Sequence, residues 1–130
     1  MTMEQTIQER VEKYWTNRSV SFLEQRIREF HSPLKERWIT EFNNYIPQKT
    51  GLKILDIGCG TGFFTGILSQ MGHEVIGIDV TQEMIHLATV FANQEKFDAK
   101  FLVMDAQNLA FADASFDIVI ARNVTWTLPD

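Results

Sequence analysis

Three aspartates are placed to do chemistry. Asp56 lies two residues before a glycine-rich turn, Gly58-Cys59-Gly60-Thr61-Gly62. Asp79 closes the apolar run Glu74-Val75-Ile76-Gly77-Ile78, 21 residues after Gly58, and Asp105 closes Phe101-Leu102-Val103-Met104. Glycine carries no Cβ and tolerates positive φ, so such a turn lets backbone approach a ligand closely. The N–H groups that open the next helix point into the same space. Asp79 falls at the spacing where a carboxylate accepts both hydroxyls of a ribose. Asp105 can accept from an adenine amino group while the Ala106 N–H donates to the ring. Together these residues describe a site for a nucleotide-type cofactor. Asp56 adds a charge argument: a carboxylate beside the turn disfavours a pyrophosphate and favours a cationic ligand.

Each residue also has a plainer reading. The turn is an ordinary tight strand–helix connection, Asp79 caps a helix starting near Thr81, and Asp105 is a solvated loop carboxylate. Cys59 has no histidine nearby in sequence, and small residues suit its position, so it reads as a turn residue and not as a nucleophile. His31, His73 and His86 fall on unrelated segments without ligand spacing. They read as surface or helix-end residues, and no metal is expected. Trp15, Trp38 and Trp126 read as packing residues, with Tyr14 and Trp15 also able to close over a ligand.

The elements that must hold these groups follow from periodicity. Residues 1–50 read as helical. Ile7, Val11, Tyr14 and Trp15 recur at helix spacing, as do Val20, Leu23, Ile27 and Phe30. Ser32-Pro33 is an N-cap followed by proline at the first helical position, with Leu34, Trp38, Phe42 and Tyr45 on one face. From residue 52 strands alternate with helices: strand Lys53–Ile57, helix Phe63–Met71, strand Glu74–Ile78, a helix from Thr81 to about Asn93, strand Lys100–Met104 and strand Phe116–Ala121. Such alternation calls for a parallel sheet with right-handed crossovers. Two parts result: a helical cap over 1–50 and an α/β domain over 51–130. A sheet wound outward from its first strand sets Phe116–Ala121 beside Lys53–Ile57, with an open apolar edge. Self-association, or a longer protein of which this is a fragment, is therefore expected.

Composition narrows the classes. With 130 residues the chain forms at most one domain of ordinary size, and 45% hydrophobic content supplies a core. A net charge of −5 gives no electrostatic drive toward nucleic acid or anionic membranes. The single cysteine rules out an internal disulfide and points to a reducing, cytoplasmic setting. The first residues lack the basic and apolar blocks of a signal peptide, and no apolar stretch reaches membrane-spanning length.

Leu55-Asp56-Ile57-Gly58-Cys59-Gly60-Thr61-Gly62 resembles the glycine motif of class I S-adenosylmethionine (SAM)-dependent methyltransferases, and Ile78-Asp79 their acidic second motif. Asp105-Ala106-Gln107-Asn108-Leu109-Ala110-Phe111 is similar to their adenine-side segment. Asp113–Val119 resembles the entry to their fourth strand, and Arg122-Asn123-Val124 its ligand-facing end. The likeness covers roughly residues 50–128 and is greatest to the small-molecule branch with an N-terminal helical cap. It implies a Rossmann-like, doubly wound parallel sheet, incomplete here after strand 4. It also implies SAM as cofactor, a ligand with an ammonium, a sulfonium and no phosphate, and a small-molecule methyl acceptor. The implied cofactor-binding residues are Asp56, Gly58, Cys59, Gly60, Thr61, Gly62, Asp79, Val80, Met84, Asp105, Ala106 and Arg122. Arg18, in the cap, can meet the methionine carboxylate. No catalytic residue is indicated.

Two other functions fit parts of the pattern. An NAD(P)-dependent oxidoreductase shares the strand–turn–helix layout, but its third glycine falls one place later, where this chain has Phe63, and Asp56 would face the pyrophosphate. A non-catalytic SAM-binding domain would keep the site without transferring a methyl group.

Overall fold

The computed structural model describes residues 21–105 and 115–121. Helix α1 is described over 21–30, followed by α2 (Pro33–Tyr45), β1 (Lys53–Ile57), α3 (Phe63–Gln70), β2 (Glu74–Asp79), α4 (Gln82–Glu95), β3 (Lys100–Val103) and β4 (Ile118–Ala121). The four strands form one parallel sheet in the order β3-β2-β1-β4. The alternation of strands and helices accounts for the parallel pairing, because parallel neighbours need a crossover between them, and the order is that of a sheet wound outward from its first strand.

β1 is the pivot. All but its first residue are buried, as a central parallel strand covered on both faces requires. Its Leu55 pairs with Ile76 on one side and with Val119 on the other. Asp117 fixes β4 to it: the Lys53 N–H donates to the Asp117 carboxylate at 2.8 Å, and the Asp117 N–H donates to the Lys53 carbonyl at 2.8 Å.

Side chains alternate across the strands. Ile54 and Val75 share a core with Phe63, Phe64, Ile67 and Leu68 of α3, Phe91 of α4, Phe42 of α2 and Phe30 of α1. Leu55, Ile57 and Ile78 form a second cluster on the opposite face, with Ile76, Met104, Phe116 and Ala121 against it. The helices described therefore lie on one side of the sheet, and their aromatic rings interlock. Phe30 meets Phe91 edge-on at 5.0 Å between centroids, and Phe42 meets Phe64 at 5.2 Å.

α2 begins as its sequence dictates, with the Ser32 hydroxyl accepting the Leu34 N–H and Pro33 at the first turn. It stops at Tyr45 because Ile46 precedes a proline and is pushed to extended backbone, φ −100° and ψ 135°. That change of direction buries Ile46 and leaves Tyr45 82% exposed, so Tyr45 does not share the buried face assigned to it by helical periodicity. α4 runs two residues past Asn93 and ends on Lys96 in the left-handed region, φ 58°.

Candidate functional site

The turn after β1 carries the site. The Cys59 N–H donates to the Ile78 carbonyl at 2.9 Å, which continues the β1–β2 ladder one step beyond the strand. The chain then turns through Gly60 at φ 56° and Gly62 at φ 91° into α3. A Cβ built on Gly60 would meet nothing within 4 Å, so the turn faces open space there. Gly62 has the opposite surroundings: a Cβ would lie 3.1 Å from the Phe101 ring. The same ring, with the Cys59 sulfur, comes within 3.0 Å of a Cβ on Gly77. Phe101 of β3 thus props the turn from below, and Cys59, 1% exposed, packs beneath it. That location agrees with a turn residue and not with a nucleophile.

Two carboxylates flank the turn. Asp56 is fully buried, and its Oδ2 accepts the Thr65 hydroxyl of α3 at 2.8 Å. Asp79 reaches across from the end of β2. Its Oδ2 accepts the Gly60 N–H at 3.1 Å, and its Oδ1 accepts the Thr81 N–H at 2.9 Å. Thr81 is the N-cap of α4 by position, yet its side chain makes no capping hydrogen bond; the Asp79 carboxylate satisfies the helix start instead. The capping role and a ligand role are compatible, since an ionised carboxylate offers about four acceptor positions and these two bonds occupy half of them.

A pocket of about 180 Å³ lies against the turn. Cys59, Gly60, Thr61, Phe63 and Met84 line it, all but Phe63 expected from sequence, and α1 contributes Phe22 and Arg26. Thr61 is 6% exposed, and its hydroxyl is buried with no hydrogen-bond partner among the described residues. Arg26 lies over the Phe63 ring, 5.9 Å from its centroid, and pairs with Glu29. Sequence reasoning missed Arg26 and Phe22. The available signal was their i, i+4 spacing, one residue off the Leu23/Ile27/Phe30 face. Val80, 67% exposed, and Asp105 lie at the carboxyl ends of β2 and β3 on the same edge of the sheet. Arg18, Ala106 and Arg122 lie outside the described residues, as do Tyr14, Trp15 and Trp126.

A larger cavity, about 620 Å³, opens at the other end of the strands, beside His73, Glu74, Lys96 and Lys100. Parallel sheets bind ligands at their carboxyl ends, where the glycine turn is. His73 itself corrects the sequence reading. It is 7% exposed, its Nδ1 accepts the Leu52 N–H at 3.3 Å, and burial lowers its pKa below the usual value. His31 is exposed as expected and pairs with Glu95 at 2.6 Å. No cluster of metal-ligating side chains exists among the described residues. No helix among them is long and apolar enough to cross a membrane.

Residues 55–130 match the family described as "Methyltransferase domain". The chain belongs to that family. The methyltransferase domain is 33% identical over 100 residues to the ubiquinone biosynthesis O-methyltransferase of Brucella ovis, covering 75% of this chain and 40% of that protein. It is 40% identical over 82 residues to the biotin biosynthesis bifunctional protein of Cellvibrio japonicus, covering 62% of this chain and 16% of that one. The domain thus spans well under half the length of these relatives. Among solved structures it is similar to a SAM-dependent methyltransferase from Methanosarcina mazei, with a TM-score of 0.55 and 37% identity over 60% of this chain and 39% of the other. It is also similar to the magnesium protoporphyrin IX methyltransferase of Synechocystis with bound SAM, with a TM-score of 0.62 and 25% identity over 83% of this chain and 51% of that one. The resemblance read from the motifs is borne out at the level of family and fold.

The residues present suit SAM. The open face of Gly60 leaves room for a ligand against the backbone, and the buried Thr61 hydroxyl asks for a partner. The two nearby carboxylates match a ligand that carries positive charge.

Proposed function

We propose that the chain binds SAM and forms the cofactor half of a methyltransferase acting on a small-molecule acceptor. The observation that carries this reading is Asp79 bonded to the Gly60 N–H, because it sets a ribose-type carboxylate against an open glycine turn. A pocket of about 180 Å³ is smaller than the roughly 300–1,000 Å³ typical of ligand sites. It therefore takes the methionine end of the cofactor, while the adenosine extends past Asp79 over the exposed Val80 toward Asp105 and Ala106. Asp56 faces the amino group from beneath, and the backbone from Gly58 to Gly62 lines the methionine, with Met84 opposite.

SAM supplies a methyl group already activated by its sulfonium, so the protein's task is to bind, orient and exclude water. No base is assigned. The similarity to the ubiquinone, biotin and protoporphyrin enzymes supports a small-molecule acceptor. Val119, 55% exposed on an edge strand, supports association with a second copy along β4. The lone buried Cys59 supports a reducing, cytoplasmic setting. The partial length keeps a second reading, a SAM-binding domain without transfer activity.

Calorimetric titration of SAM and NAD against the chain is the test. Binding of SAM without binding of NAD is expected; the reverse would overturn the reading. A methyl-transfer assay on a protein carrying this chain together with the remaining length of its relatives separates enzyme from binding domain.

A further inference from the structure

We propose that the cavity at the amino ends of the strands is a second binding site, for an uncharged small molecule that presents a carbonyl-type acceptor to His73. This site is independent of the glycine turn and of what binds there.

The cavity holds about 620 Å³, within the roughly 300–1,000 Å³ typical of small-molecule sites. Val75, Ile76, Phe97 and Ala99 give it apolar walls. Two polar groups that line it lack a partner among the described residues. One is the buried hydroxyl of Ser69, at the end of α3. The other is the Nε2–H of His73. Its Nδ1 accepts the Leu52 N–H, which places the ring proton on Nε2, and that N–H meets no acceptor among the described residues. His73 is 7% exposed, and a donor buried to this degree is expected to be hydrogen-bonded. With Nδ1 turned to the start of β1, Nε2 is the side of the ring left to the cavity. The occupant therefore has to bring the acceptor, and the Ser69 hydroxyl can add a second bond as donor or acceptor.

The surroundings set the charge of that occupant. α3 and α4 both end at the cavity, at Gln70 and Glu95. A helix C-terminus carries the negative end of its dipole. The exposed rim adds no net sign, since Lys96 and Lys100 are matched by Glu74 and Asp98. An anion is opposed by the helix ends, and a simple ammonium offers His73 no acceptor. A carbonyl on an apolar body meets both conditions. The five residues of β1, about 17 Å at roughly 3.3 Å each, separate this cavity from the glycine turn. A methyl group does not cross that distance, so the occupant is not the methyl acceptor of the proposed reaction.

The test titrates benzamide, benzoate and toluene into the full chain and follows nitrogen-15 NMR signals. Benzamide should move the amides of Gly72, Glu74, Phe97 and Asp98 together with the His73 Nε2 signal. Toluene should move the amides and leave Nε2 in place. Benzoate should bind more weakly than benzamide. His73→Phe should weaken benzamide by about 2- to 12-fold, the range for a neutral hydrogen bond, and change toluene by less than about twofold. Ala99→Leu fills the cavity without touching the Leu52 bond, and should weaken both ligands more than about tenfold. Benzamide shifts confined to Gly60–Gly62, or none, would overturn the site, as would unchanged binding in Ala99→Leu. Tighter binding of benzoate would overturn the uncharged class. Equal losses of benzamide and toluene in His73→Phe, or an Nε2 signal that ignores benzamide in the unaltered chain, would overturn the role of His73. The second reading holds even where the variant does not fold.

Discussion

Asp79 accepts the backbone N–H of Gly60 at 3.1 Å, so the end of β2 holds the turn that follows β1. The contact joins the two motifs that stand 21 residues apart in sequence, and the ladder bond from the Cys59 N–H to the Ile78 carbonyl brings them to the same height. One carboxylate therefore shapes the turn and satisfies the start of α4 through Thr81, and the proposed function gives it a third task, presenting its remaining acceptor positions to a ribose.

Replacing Asp79 by Ala removes all three. SAM affinity should fall by about 1–3 kcal/mol, the worth of charged hydrogen bonds. Stability should fall by about 1 kcal/mol through loss of the cap on α4. Asp79→Asn separates the effects in part, since its amide oxygen can still accept the Thr81 N–H and cap the helix, whereas its NH2 group cannot accept the Gly60 N–H. The expected result is a smaller loss of thermal stability than in Asp79→Ala, with weakened SAM binding. Unchanged SAM affinity in Asp79→Asn would remove the carboxylate's charge from the site.

A second prediction concerns Gly66, where α1 meets α3. A Cβ there would lie 3.0 Å from the Phe30 ring and 3.0 Å from the Phe97 ring. In an exposed helix, Gly→Ala gains about 1 kcal/mol. Here both rings are buried and packed against Phe91, so neither can give way cheaply. Overpacking costs about 1–3 kcal/mol, and the rings should outweigh the propensity. Gly66→Ala should lower the urea midpoint without changing the slope of the transition. A raised midpoint would show that Phe30 shifts freely, and with it the anchoring of α1.

The sequence was most legible where chemistry and periodicity coincide. Asp56, the glycine turn and Asp79 were marked by spacing, and the parallel sheet followed from the alternation of elements, while the place of β4 beside β1 came from the doubly wound sheet that the resemblance implies. Residues whose role depends on a distant partner were not marked. Arg26 looks like any solvated helix charge until α1 is docked by Phe30, and that docking depends on the gap over Gly66. Arg18 has the same appearance in sequence, and nothing local distinguishes the two. His73 sits between Gly72 and Glu74, an exposed-looking setting, yet the β1–β2 register places it beside Leu52, 21 residues away. Tyr45 fits its helical face by count, but the proline two residues later turns the chain and gives the burial to Ile46. α4 overran its expected end because no glycine marks it; Lys96 adopts the left-handed conformation instead.

The third prediction follows from His73. With Nδ1 accepting the Leu52 N–H, its proton resides on Nε2, and the ring is neutral. Burial disfavours the imidazolium and lowers the pKa from 6.5. Above that value both folded and unfolded chains hold the ring neutral, and this residue adds no pH dependence. As pH falls below it, the unfolded chain takes up a proton that the folded chain refuses. Unfolding then binds protons, so stability drops with decreasing pH, by at most about 1.4 kcal/mol per unit for one group. The drop levels off once pH passes the lowered folded-state value. Below that point the imidazolium has also lost its acceptor role toward Leu52. Urea unfolding of the unaltered chain and of His73→Gln, measured from pH 8 to pH 5, isolates the term. The difference between them should be flat above about pH 7 and should shrink progressively below about pH 6.5, the ordinary histidine value. A difference that stays constant across the whole range would show that His73 titrates alike in both states, and that the Leu52 bond does not hold it neutral.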